Sequence, residues 1–118
     1  MAALTVQTIT AAGIVPAAPT QISAWGTPDT ISSGDIGDRG VIAEIINGTA
    51  GSLDFRVEDP GTTPAGNAAA NGYTTHTVAA GAARRVFIGR HNVDLVAGTV
   101  SVGASASDAA FTIRLFRY

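Results

Sequence analysis

The sequence predicts an all-β fold: a single-domain antiparallel β-sandwich or jelly roll of about seven to nine short strands. Three observations carry that prediction. Apolar residues recur at every second position in several short runs, the spacing that turns one strand face to a core and the other to water. Gly, Pro, Asn and Asp interrupt these runs about every ten residues, where turns belong. No stretch sustains the apolar period of about 3.6 residues that an amphipathic helix needs. At 118 residues the chain is one domain, long enough to bury a core without disulfide or metal staples.

Residues 1–19 read as an N-terminal strand or extended arm, and 20–118 as the sandwich domain. Thr5-Val6-Gln7-Thr8-Ile9 is alternating and rich in β-branched residues, so Leu4, Val6 and Ile9 suggest a short strand. Gly13, Pro16 and Pro19 then end regular structure. The arm has two open placements, as an edge strand of its own sheet or as a segment lying on a neighbouring subunit. Gln21–Trp25 alternates again. Trp25, the only tryptophan, suits a core or half-buried plug better than a binding platform. Ile31–Gly40 reads as a polar, Gly-rich connection.

The stretch Gly40–Ile88 reads as two β-hairpins joined by a long polar loop. The first pairs Val41–Ile46 with Leu53–Glu58 around Asn47-Gly48, a dipeptide that favours positive φ in tight hairpin turns. Leu53, Phe55 and Val57 face the core, while Asp54, Arg56 and Glu58 face water. The second pairs Tyr73–Val78 with Arg84–Ile88 around Ala79–Ala83. Between them, Asp59–Gly72 is small and nearly uncharged, so it offers backbone and shape rather than catalytic groups. Gly89–Gly98 reads as a turn with one helical wind at most. Thr99–Ala104 then points Val100, Val102 and Ala104 inward, and Ala109–Tyr118 points Phe111, Ile113 and Leu115 inward. Phe116 falls on the wet face, where an aromatic marks either an interface or a slip in alternation.

Composition excludes several function classes. Nine acidic and seven basic residues give a net charge of −2, which offers no field for nucleic acid or an anionic membrane. No run is apolar for long enough to span a bilayer as a helix. The first basic residue is Arg39, so a secretory n-region is not expected, and Asn47-Gly48-Thr49 reads as a turn rather than a glycan site. Cysteine is absent, which removes disulfide and thiolate chemistry. Asp29, Asp35 and Asp38 lack the order of a calcium loop. His76 and His91 have no third ligand at metal spacing, and neither a nucleophile elbow nor a phosphate loop occurs. An enzyme is not expected, nor a cofactor. All seven basic residues are arginine, the side chain best suited to planar, bidentate pairing at protein interfaces. Arg84 and Arg85 with Arg90, and Arg114 with Arg117, form the basic clusters.

Ala3–Gly13, Ile46–Val57, Thr77–Ile88, Val100–Val102 and Ser105–Arg114 together resemble small β-sandwich virion proteins of tailed phages that infect actinobacteria. Those proteins are head decoration, or capsid cement, proteins and nearby head–tail components. The resemblance implies a sandwich on the outer capsid surface, commonly a trimer, that clamps adjacent major capsid protein subunits against internal DNA pressure. The residues expected at such an interface are Leu4, Val6 and Ile9 in the arm, Phe116 and Tyr118 at the C-terminal end, and Arg84 and Arg85 for polar pairing. On that placement, truncating residues 1–12 weakens attachment and leaves the fold intact. A tail, head–tail connector or head-fibre component is the alternative within the virion. A carbohydrate-binding module is the alternative outside it, although Trp25, Tyr73 and Tyr118 are widely spaced for a flat aromatic face.

Overall fold

A computed structural model describes residues 3–60 and 72–117. Among them run nine strands: β1 Val6–Thr8, β2 Thr20–Gln21, β3 Asp29–Ser32, β4 Val41–Asn47, β5 Leu53–Glu58, β6 Tyr73–Val78, β7 Ala83–Ile88, β8 Thr99–Ala104 and β9 Phe111–Arg117. One sheet has the order β1-β9-β4-β7, with β2 also on β9, and the other has the order β3-β8-β5-β6. The all-β sandwich expected from the alternation is therefore present, and its topology is the jelly roll. β2 pairs with β9, β3 with β8, β4 with β7 and β5 with β6, all antiparallel, as when one long ribbon is rolled into two sheets. β1 is the exception to antiparallel order, since it runs parallel to β9 in the register Val6↔Leu115, Gln7↔Phe116, Thr8↔Arg117.

This topology corrects the hairpin reading of Gly40–Ile88. β4 and β5 lie in different sheets, as do β6 and β7. Both turns are arches that carry the chain across the sandwich. The long connection after Asp59 joins two strands of one sheet instead, closed at its neck where Gly72 O accepts from Asp59 N at 2.9 Å. Residues 61–71 of that connection lie outside the described residues. The Asn-Gly signal misleads for a physical reason. Gly48 is not among the positive-φ glycines; it sits where an added Cβ would meet Ala110 at 3.3 Å. Asn47 is used for its side chain. It is fully buried, and its Nδ2 donates to Gly51 O and Val78 O, both at 2.9 Å.

The same device recurs at other crossings. Buried Asp29, at the start of β3, accepts from Ser23 N at 3.0 Å and Ser23 Oγ at 2.8 Å where the chain passes from β2 to β3. Buried Asn92, in the 3-10 turn Arg90–Asn92 after β7, donates to Glu58 O at 2.9 Å and accepts from Gly89 N at 3.1 Å. Buried polar groups demand partners, so each fixes one local geometry. Ile31–Gly40 is more ordered than a Gly-rich connection. Ile31 belongs to β3, and Ser33–Ile36 forms a single helical turn, α1, whose N-cap Ser32 accepts from Asp35 N at 3.3 Å.

The core lies between the sheets and contains the inward residues expected of β5, β8 and β9, including Phe55, Val57, Val100, Val102, Phe111, Ile113 and Leu115. Leu4 belongs to it as well. Ala3 bridges Thr30 of β3, Leu4 N donates to Thr30 O at 2.8 Å, and the chain then crosses to β9 as β1. The N-terminal strand thus closes one side of the sandwich by pairing with both sheets. This corrects the expectation that residues 1–12 can be removed with the fold intact: Leu4 is a core residue, and Val6 packs against the core.

Candidate functional site

The outer face of the β1-β9-β4-β7 sheet is assembled from residues that alternation turns away from the core. Registers place Gln7, Phe116, Ile42 and Phe87 in one cross-strand row, and Arg114, Glu44 and Arg85 in the next. β4 carries apolar residues on both faces, Ile42 and Ile46 outside and Val41, Ala43 and Ile45 inside. Strands of that kind are covered on both sides. Near Ile42 the cover is residues 9–19, which leave β1 at the C-terminal end of β9 and return across the sheet to β2.

Hydrogen bonds hold this strap down. Ile9 N donates to Arg117 O at 2.6 Å, and a turn closes where Gly13 N donates to Thr10 O at 2.8 Å. Gln7, on the sheet's outer face, accepts from Ala17 N at 2.9 Å and donates to Val15 O at 3.3 Å. Arg114 Nε donates to Ala17 O at 3.1 Å. Between strap and sheet remains a groove of about 450 Å³. Its floor is apolar: Ile9, Ile14 and Pro16 from the strap, Ile42 and Phe116 from the sheet. Its rim is charged. Glu44 receives Arg85 at 3.3 Å and Arg114 at 3.6 Å, and Arg117 reaches from the groove to Asp35 Oδ1 at 4.0 Å. With Glu44 shared by Arg85 and Arg114, and Asp35 beside Arg117, the rim keeps one positive charge in excess.

The structure brings Ile9, Arg85 and Phe116 of the expected interface residues into this groove. Phe116 on the wet face is no slip in alternation; β9 holds its register through Arg117. Leu4 is instead buried in the core and Val6 packs against it, so neither presents its side chain to the groove. Arg84 lies on the opposite face of β7 from Arg85 and spans the gap between the sheets, donating to Thr77 O at 3.0 Å. Tyr118 lies outside the described residues. Ile14, Pro16 and Ile42 were missed by sequence reasoning. The two-faced apolar run Val41–Ile46 was the available signal for Ile42; a strap with no periodicity gives none for Ile14 or Pro16.

Two further sites can be compared with expectation. Trp25 and Tyr73, far apart in sequence, meet with ring centroids 5.0 Å apart at an interplanar angle of 61°, and the Arg56 guanidinium lies 4.8 Å from the Tyr73 centroid. Trp25 is half-buried, its backbone pressed against Gly103, where an added Cβ would meet Trp25 Cα at 2.8 Å. An edge-to-face pair offers no flat platform for a sugar ring. His76 and His91 do converge, lining a cleft of about 230 Å³ with Asp59, Thr74 and Asn92. Burial, followed by the Arg84 charge, holds the His76 pKa below its ordinary value of about 6.5. Among the described residues, no group of three or more His, Cys, Asp or Glu side chains could hold a metal ion. Asp29, Asp35 and Asp38 are not drawn into one cluster: Asp29 holds Ser23, and Asp38 accepts from Arg90 at 2.6 Å.

Comparison with known proteins returned no matching family, no matching curated protein and no matching solved structure.

Proposed function

We propose that this chain is a non-enzymatic structural protein of a tailed-phage virion. It acts as a decoration or cement protein that seats on the outer capsid surface as a homo-oligomer, a trimer, and clamps adjacent major capsid subunits. The observation that supports its protein-binding half is the strapped sheet face, where an apolar groove floor is ringed by three arginines and one glutamate. Apolar floors with arginine at the rim are the chemistry of protein interfaces. The virion half is supported by the sequence resemblance. Jelly rolls serve viral capsids and lectins alike, so the fold adds analogy only. Binding of this kind needs a rigid scaffold and repeated contacts, and repetition over a symmetric shell raises effective affinity without new chemistry.

The test is copy number per purified particle, by quantitative mass spectrometry. Copies on the order of hundreds, in simple ratio to the major shell protein, support decoration. About a dozen would move the protein to the connector or tail, and absence from particles would sink the virion reading.

A further inference from the structure

We propose that the groove beneath the N-terminal strap accepts a second copy of this chain, and that the inserted segment is Asp94-Leu95-Val96, the tip of the loop between β7 and β8. The donor is a built feature. Asp94 N donates to Thr99 O at 3.0 Å and Gly98 N to Asp94 O at 2.7 Å, which closes the base of the loop. Asp94 Oδ1 accepts from Val96 N at 2.9 Å and Ala97 N at 3.3 Å, which shapes the tip. This fixed tip holds Leu95 at 89% and Val96 at 99% exposure. Two adjacent aliphatics presented to water on a hydrogen-bonded turn are a surface that gains by being covered.

The acceptor selects an occupant by its chemistry. Its floor asks for aliphatic groups, and its rim, with Arg85 and Arg114 sharing Glu44, asks for a carboxylate beside them. Ile9, Val15, Phe87, Leu95 and Val96 are the exposed large hydrophobics of the described surface. Of these, only Leu95 and Val96 are sequence neighbours, and an acid precedes them. Size agrees as well. The groove's 450 Å³ equals about fifteen waters at roughly 30 Å³ each, ample for the seven side-chain carbons of one leucine and one valine.

Donor and acceptor share no residue, so the contact joins unlike surfaces of two copies, head to tail. Such contacts close into rings when the rotation permits and otherwise extend as chains. This contact belongs to the purified chain alone, so it stands or falls separately from the virion reading, which particle copy number decides.

The experiment is sedimentation velocity on the purified full chain up to about 500 µM, comparing the wild type, two variants and their mixture. The wild type associates as concentration rises. Leu95→Ser/Val96→Ser, on an exposed turn, weakens association at least about a hundredfold. Ile14→Arg, which fills the groove from the strap, does the same; if circular dichroism finds it unfolded, Ile42→Ser replaces it. A mixture of the tip variant with the groove variant regains one intact tip and one intact groove, and so forms a one-to-one dimer that grows no further. A wild type that stays monomeric throughout the range overturns the proposal. So does association that survives both variants, or a mixture that stays monomeric.

Discussion

Replacing Asn47 by Ala tests whether one amide holds the two arches at the same end of the jelly roll. Its Nδ2 bonds Gly51 O of its own arch and Val78 O at the end of β6, while Oδ1 accepts from Thr49 N at 2.9 Å and Thr49 Oγ1 at 2.6 Å. The losses are not equal. The Thr49 hydroxyl has one proton and a second acceptor within reach, Gly51 O at 2.8 Å, so truncation leaves Gly51 O satisfied. Val78 O and Thr49 N are left without their partner in a buried or part-buried setting. Each such group costs about 1–3 kcal/mol, which puts Asn47→Ala near 3 kcal/mol once a small cavity is included. At about 4 °C per kcal/mol for a domain of this size, the melting temperature falls by about 12 °C. Thr49→Val removes only the hydroxyl and should cost about 1 kcal/mol. Urea unfolding followed by Trp25 fluorescence measures both. An Asn47→Ala stability within about 1 kcal/mol of the wild type would refute the argument that this amide couples the arches.

Two other perturbations test the N-terminal strand and the surroundings of His76. Leu4→Ala should lose about 2–3 kcal/mol in urea unfolding, since Leu4 is a core side chain at the end of the chain; an unchanged midpoint would mean that the N-terminal strand is not part of the fold. His76, whose pKa is lowered in the folded state, stays neutral where the unfolded chain already binds a proton. The associated stability is present above the unfolded value near pH 6.5 and is lost as pH falls toward the folded value. His76→Gln should therefore flatten stability against pH just below 6.5, and a wild-type curve that keeps its slope in the variant would assign the effect elsewhere.

The alternation of β5, β8 and β9 was legible because strand periodicity is local: Leu53-Asp54-Phe55-Arg56-Val57 states by itself which side chains go in. The fold class and most of the core followed from it. Which strand pairs with which did not. Val41–Asn47 followed by Leu53–Glu58 has the same pattern whether the chain folds back within a sheet or arches across to the other. The choice falls to contacts between residues remote in sequence, such as Asn47 with Val78 and β4 with β7 and β9. The candidate site divides in the same way. Phe116 stood out as an aromatic on a wet face. Its meaning depends on Ile14 and Pro16, which carry no period and are brought over it by the bonds of Gln7 and Arg114 to the strap's backbone. Periodicity sets which face a side chain takes, and the sequence contains it outright. What lies against that face is set by hydrogen bonds and packing closed over long separations, and only the tertiary structure decides it.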